Sequence, residues 1–314
     1  IRGDGGSRVA GRDRAGGAPG WRRGRQAGEE SVVSLTVSGI INAYDRPEFL
    51  KGAIASALAQ TRPLHELIVV DDCSPCDLAA VIAPFGERVR HLRLPENRGL
   101  TAARNAGVAA ASGDVVAFLD DDDEWLPEKI ARQTAVLERG YEACLCGWQR
   151  LGGEFRQVRA VDEITADMLR AGNPFCGGTG LVARREVLLA EPFDPRIAQG
   201  EDWDMYIRLA RRRPLGYARA ALFRFRYGAH DSMTASSRRE EPAQLMARAA
   251  VLDKHRAWLG ERHYHNRLAS YLLNSISRRP QKHRYLWYAL RHAGPRSTLH
   301  YFIRQTFRPN RQRA

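Results

Sequence analysis

Short apolar, β-branched runs recur through residues 34–182 with helix-length stretches between them, and several of these runs end on acidic or polar side chains. Parallel strands need a crossover long enough to hold a helix, so this alternation predicts a mostly parallel sheet with helices on both faces. Strands are expected at residues 35–41, 67–70, near 89–94 and at 115–119. The last is wholly apolar and belongs at the buried centre of the sheet. Pro47 opens the first helix, where its missing N–H does no harm, and Phe49, Leu50, Ile54 and Leu58 recur on one face. Further helices are expected near 78–83, over 100–111 and from Pro127 to about Glu138, with another strand over 142–148. Beyond Arg150 the order loosens. It predicts a glycine turn at Gly177, Gly178 and Gly180, helices near 184–190 and 201–211, a strand near 217–227, and a polar, aromatic, helical tail from Ala243.

Charge divides the chain more sharply than hydropathy does. Residues 243–314 hold 13 Arg and 2 Lys against Asp253 and Glu261, a surplus equal to the whole chain's +13. An acidic central module followed by a basic tail points to a polyanionic surface as the partner of the tail. No apolar run of about 18 residues is present to span a bilayer. The Gly- and Arg-rich first 30 residues are neither a signal peptide nor a packed element, and are expected to be a disordered leader. Five cysteines are too few for a disulfide framework in 314 residues, which favours a reducing, cytoplasmic compartment. Cys73 and Cys76, with Cys144 and Cys146, read better as small buried hydrophobes than as a zinc site, because the second pair has the wrong spacing.

Ligands bind open parallel sheets outside the carboxyl ends of the strands. The residues there are Tyr44 and Asp45, Asp71 and Asp72, Asn97 and Arg104, and the run Asp120, Asp121, Asp122, Asp123. Four adjacent carboxylates repel one another and call for a positive partner. A hard divalent cation, Mn²⁺ or Mg²⁺, suits them, with Asp120 and Asp122 facing one site and Asp121 turned away. Decoration of the following helix N-terminus is the plainer alternative. Glu201 and Asp202 open another helix, either as an N-terminal cap or as a general base.

The blocks 40–47, 57–61, 68–72, 96–99, 102–107 and 118–127 resemble, in order, the nucleotide-binding half of the inverting family 2 glycosyltransferases with a GT-A-type fold. The likeness continues through Gly177–Gly180, through Gly200-Glu201-Asp202-Trp203-Asp204 and through 225–230, and fades in the tail. It implies a leader over 1–33, a catalytic domain over 34–240 (nucleotide-binding half 34–135, acceptor half 136–240) and a basic helical extension over 241–314. The implied nucleotide-sugar site comprises Ala43, Tyr44, Arg46, Asp72, Asn97, Arg104, Asp120 and Asp121. Tyr44 would stack on the base and Asp72 would accept hydrogen bonds from base or ribose. Asp120 and Asp122 would hold the metal with His230 as a further ligand, while His230 also reads as an ordinary loop histidine. Asp202 would be the catalytic base with Glu201 beside it, and Gly178, Thr179 and Trp203 would border the acceptor. Asn42 stands where the family commonly has proline, and Cys73 and Cys76 sit in a loop it usually builds from Gly, Ser and Thr.

The expected activity is inverting, metal-dependent sugar transfer to an acceptor hydroxyl in cell-envelope polysaccharide, glycolipid or other glycan synthesis. The partners would be a nucleotide-diphosphate sugar and a glycan, lipid-linked or small-molecule acceptor. Nucleotidyl transfer is the rival enzyme class, but residues 42–46 contain no glycine to cradle a triphosphate. A basic nucleic-acid-binding protein is the non-catalytic rival, disfavoured because the positive charge lies outside the ordered module. The tail interleaves Trp287, Leu290, Phe302 and Ile303 with Arg and His. It reads either as an interfacial helix peripheral to the anionic inner face of a membrane or as a packed helix with a solvated basic face.

Overall fold

The computed structural model describes residues 34–175, 177–226, 240–274, 276–279 and 281–306. The expected leader and His230 lie outside the described residues. Among them, ten strands form one sheet: β1 (Val37–Ala43), β2 (Glu66–Asp71), β3 (Arg90–Arg93), β4 (Val115–Asp120), β5 (Glu124–Trp125), β6 (Ala143–Arg150), β7 (Arg156–Gln157), β8 (Glu163–Ile164), β9 (Val182–Arg184) and β10 (Leu215–Phe225). The strand order is β3-β2-β1-β4-β9-β6-β10-β5, with β7 on β6 and β8 on β10. The strands β3, β2, β1 and β4 pair in parallel, as do β6 and β10. In register, Asn42 sits between Val70 and Asp120, so the ends of β1, β2 and β4 come level at one edge.

Alternation along the buried strands sends successive side chains to opposite faces. Ile40, Ile68, Val116 and Phe118 join one core, and Ile41, Val69, Val115 and Leu119 the other. The second core is covered by α1 (Pro47–Leu58), α2 (Leu78–Ile82) and α4 (Lys129–Leu137). The first is covered by α3 (Leu100–Ala110), α5 (Arg185–Ala190) and α6 (Glu201–Arg212). The tail adds α7 (Pro242–Arg248), α8 (Ala250–Lys254), α9 (Arg256–Leu273), α10 (Lys282–His292) and α11 (Gly294–Thr306). Its residues Leu245, Val251, Leu268, Leu272 and Tyr301 belong to that same first core.

Gln60 shows what the 57–61 block does physically. Its amide donates to the Leu126 carbonyl at 3.0 Å, and its Oε1 accepts from the Ile130 N–H at 3.1 Å, which ties α1 to the start of α4. Asp204 plays the same part for the tail: its buried carboxylate meets Lys254 Nζ at 2.8 Å, His255 Nε2 at 2.7 Å and Arg208 Nε at 3.0 Å.

The sheet is mostly parallel, as expected, and β9 enters it antiparallel to both β4 and β6. Only three residues long, it is too short to show a period. The helix expected from Pro127 begins instead at Lys129, since Trp125 pairs with Phe223 and the Leu126 N–H is held by the Leu222 carbonyl. Cys144 and Cys146 are buried, as expected of small hydrophobes, and Cys73 and Cys76 are half-buried free thiols.

The contact of α3 with the sheet is close at Gly107, where a Cβ would lie 2.7 Å from Ile40 Cγ2 and 3.1 Å from Val70 Cγ2. In an open helix Gly→Ala stabilises by about 1 kcal/mol. Gly107→Ala is instead expected to destabilise by about 1–3 kcal/mol through overpacking. Urea unfolding checks the sign: an unchanged or raised midpoint would show the contact to be looser than described.

Candidate active site

The edge where β1, β2 and β4 end carries most of the chemistry. The second turn of α3 brings Arg104 beneath the end of β4, fully buried, with its guanidinium 6.0 Å from the Phe118 ring and 5.3 Å from the Phe193 ring. Its two terminal nitrogens point to different elements. One donates to Asp120 Oδ1 at 2.9 Å and the other to Glu201 Oε1 at 2.8 Å. Burial opposes its charge, but the two carboxylates outweigh burial and hold it above the ordinary arginine value.

The glycine turn closes over this arginine. A Cβ on Gly178 would overlap the Arg104 guanidinium, so only glycine fits there. Thr179 Oγ1 accepts from the Asp120 N–H at 3.1 Å and donates to Asp123 Oδ2 at 2.7 Å. Tyr206 of α6 donates its hydroxyl to the Gly177 carbonyl at 3.0 Å, which fixes the turn against α6.

The four successive aspartates separate in direction. Asp120 turns to Arg104. Asp121 is buried, accepts the Tyr44 N–H at 3.1 Å and lies 3.2 Å from Arg46. Asp122 meets the same Arg46 at 2.6 Å. Asp123 is buried against Thr179 and the Arg226 N–H. Burial raises Asp121 to about 8 and lifts Asp123 as well, and their neighbours' negative charge adds to both. The side chains of Asp120 and Asp122 keep 26% and 13% exposure, so these two of the four present oxygens to an incoming ligand. Among the described residues no three Asp, Glu, His or Cys side chains converge on a metal position.

Asp202 lies one residue beyond Glu201 at the start of α6. Its Oδ2 accepts from the Asn173 amide at 2.7 Å and its Oδ1 from the Trp203 N–H at 2.7 Å. Burial, reinforced by Glu201, raises its carboxyl to about 7, with Arg104 pulling the other way. A Cβ on Gly177 would stand 3.8 Å from Asp202 Oδ2, so the glycine turn adjoins this carboxylate as well.

The structure thus brings together Arg104, Asp120, Thr179, Gly178, Glu201 and Asp202, with Arg46, Asp121 and Asp122 along the same edge. Ala43 ends β1 in the core, and the Tyr44 ring is exposed beside it. The Asp72 carboxylate accepts the Arg98 and Gly99 N–H groups at 2.9 and 2.7 Å, fixing the turn before α3, and Asn97 is exposed on that turn. Trp203 is buried, its indole N–H donated to the Leu169 carbonyl at 3.0 Å. Sequence reasoning missed Asn173, which sits in an irregular stretch with no period or motif. It also missed Asn42, whose buried amide has no hydrogen-bond partner among the described residues and whose register partner on β4 is Asp120.

Replacing Arg104 leaves the buried Glu201 and the partly exposed Asp120 without their shared cation. Arg104→Met is expected to lower stability by about 3–5 kcal/mol. Arg104→Lys should restore little, since an ammonium cannot fork to two elements. Guanidinium unfolding of both variants checks this, and wild-type stability in the Lys variant would show that the fork is dispensable.

Comparison with known proteins agrees with this geometry. Residues 38–189 match the model of glycosyl transferase family 2. An uncharacterized glycosyltransferase of Nostoc is 34% identical over 176 residues, covering 51% of this chain and 55% of the relative. The succinoglycan biosynthesis protein ExoO of Rhizobium meliloti is 42% identical over 104 residues, covering 33% and 29%. The chain thus spans little more than half the length of the one and under a third of the other. In fold it resembles S. aureus TarS residues 1–349, crystallised with UDP-GlcNAc, at a TM-score of 0.60 and 16% identity over 87% of this chain and 93% of that one. These findings leave the nucleotidyl-transfer and nucleic-acid alternatives without support. The matched segment, 38–189, holds both the acidic strand end and the arginine beneath it, and through it the chain is similar to the family 2 glycosyltransferases.

Proposed function

We propose that the chain transfers a sugar from a nucleoside diphosphate to an acceptor hydroxyl with inversion, in the synthesis of an envelope polysaccharide, glycolipid or other glycan. One observation carries the reading: a single buried arginine joins the partly exposed acidic edge, at Asp120, to the helix start that bears Asp202. The exposed Tyr44 ring at the same edge suits base stacking, and the orphaned Asn42 amide suits a polar ligand atom. A succinoglycan biosynthesis protein among the relatives, and a fold neighbour crystallised with a UDP-sugar, support the substrate class.

Asp120 and Asp122 fit Mn²⁺ or Mg²⁺. Both offer hard carboxylate oxygens with residual exposure, and Mg²⁺ is held by one or two carboxylates plus substrate phosphates rather than by an all-protein cage. His230 would be a further ligand by family resemblance. Bound there, the ion would neutralise charge on the leaving diphosphate.

Asp202 takes the proton of the acceptor hydroxyl. The acceptor oxygen bonds to the anomeric carbon as the bond from that carbon to the diphosphate oxygen breaks, and the nucleoside diphosphate leaves with that electron pair. Asn173 and the Trp203 N–H hold the Asp202 carboxylate in one orientation, and its raised pKa makes it a better proton acceptor than a solvated aspartate. Gly178 and Thr179 would line the acceptor side, next to this carboxylate. The partners would be a nucleotide sugar, a glycan, lipid-linked or small-molecule acceptor, and an anionic membrane surface met by the basic tail.

Purified protein with Mn²⁺, screened against UDP-, GDP- and dTDP-sugars, is expected to release nucleoside diphosphate from at least one. Chelation should abolish release, and added Mn²⁺ or Mg²⁺ should restore it. Absence of release across the panel would sink the reading. Asp202→Asn is expected to lower kcat by at least about 10²-fold with nucleotide affinity unchanged; equal loss of both would remove its role as base.

The pH dependence has a definite sign. Asp202 titrates near 7 folded and near 3.9 unfolded, so the folded state binds more protons between those values. Its contribution to stability is greatest below about 4 and is lost as pH rises through about 7. Asp202→Asn should therefore be more stable than the parent at pH 8, by about 1–3 kcal/mol, and no more stable at pH 4. Thermal melts at the two pH values check this.

A further inference from the structure

Residues 262–314 contain no Asp or Glu against 12 Lys and Arg, a single-sign stretch that the catalytic reading does not use. The two last helices turn an apolar stripe outward rather than inward. On α10, Tyr285 and Ala289 are buried, while Trp287 is 54% exposed and Leu290 43%. On α11, Ser297, Thr298 and Tyr301 are buried, while Leu299 is 61% exposed and Ile303 47%, with Phe302 beside them. Leu299, Phe302 and Ile303 follow i, i+3, i+4 spacing, which places them on one face of the helix.

A cavity of about 830 Å³ opens where α9, the end of α10 and the start of α11 meet. Arg262, Arg291 and Arg296 line it, with His265, His292 and His300. Its one acid, Glu261, is already paired through both oxygens with Arg256, at 2.8 and 2.9 Å. Ser297 also lines it and is nine-tenths buried. The cavity is therefore a cationic, hydrogen-bonding slot beside exposed aliphatic and indole surface.

We propose that α10 and α11 form a docking face for an anionic phospholipid bilayer, with the outward stripe at the acyl boundary and a headgroup phosphate in the cationic cavity. Two contrasts select this occupant. Nucleic acid would satisfy the arginines but leaves Leu290, Leu299 and Ile303 without a partner. A second copy of the chain would satisfy the stripe but brings two basic faces together. An interface that is apolar in depth and anionic at its surface satisfies both. The inference goes beyond sugar transfer and does not depend on it.

The test is sedimentation of the full chain with vesicles of phosphatidylcholine alone or with about one-third phosphatidylglycerol, at about 150 mM salt. Binding to the anionic vesicles is expected to exceed binding to neutral ones by about tenfold or more. Trp287→Ser/Leu299→Ser/Ile303→Ser should weaken it by at least about tenfold. Arg262→Gln/Arg291→Gln/Arg296→Gln should weaken it roughly fivefold per arginine and flatten its salt dependence. These side chains are exposed, so melting temperature and nucleotide-sugar turnover should not change in either variant. Equal binding to both vesicle types, or no effect of the variants, overturns the proposal. So does tight binding to duplex DNA that the arginine variant abolishes, or a dimer that the apolar variant dissociates without any vesicle binding.

Discussion

The buried guanidinium of Arg104 is the interaction on which the rest of the site depends. An arginine taken wholly out of water loses several kcal/mol of hydration, and only well-placed charged partners offset that loss. It has two, Asp120 on β4 and Glu201 on α6, and each belongs to a different part of the chain. The surroundings follow from this choice. Phe118 and Phe193 lend their ring faces to the cation. Gly178 lacks a side chain because the guanidinium occupies the space where one would be. The distance between the acidic edge and the start of α6 is thereby set by a rigid planar fork rather than by loop length.

A run of four aspartates is tolerable only because alternation along the chain sends the side chains to different partners. Two arginines from other segments, Arg104 within α3 and Arg46 just before α1, meet Asp120 and Asp122, the pair with residual exposure. Asp121 and Asp123 turn inward to backbone N–H groups and a threonine hydroxyl. Burial then raises their pKa values. Charge is left where a cation or a polar donor group can reach it. The same inward contacts fix the loop after β1, because Asp121 holds the Tyr44 N–H and shares Arg46 with Asp122.

Much of this was legible from the residues, and what was not has physical reasons. The parallel half of the sheet was, since β1, β2 and β4 are buried on both faces and read as continuous apolar runs. The acidic strand end and the Glu201–Asp202 helix start were legible too, because charge so close to the core has few structural explanations. The strands β5 and β9 were not: at two and three residues they carry no period, and tertiary pairing alone defines them. Asn173 was illegible for a related reason, because its role depends on where an irregular loop crosses Asp202. Asp72 and Trp203 show the converse limit. A motif position names a residue, but whether its side chain faces a ligand or its own backbone is decided by packing, and here Asp72 holds a turn while Trp203 fills the core.

The tail was the least periodic region to read, yet it is physically continuous with α6. Asp204, two residues beyond Asp202, binds Lys254 and His255 from the tail while buried, a pairing that fails if either side moves away. From α9, Tyr271 approaches the same helix start: a Cβ on Gly200 would lie 3.3 Å from its hydroxyl. Burial raises that phenol to about 12, and the negative charge of Asp202 and Glu201 adds to the effect, so it remains a neutral hydroxyl. Through Tyr271 the tail therefore packs against the helix start that bears the carboxylate pair. Its outward face is free to carry a different chemistry, because the inward face already satisfies the packing that holds it in place.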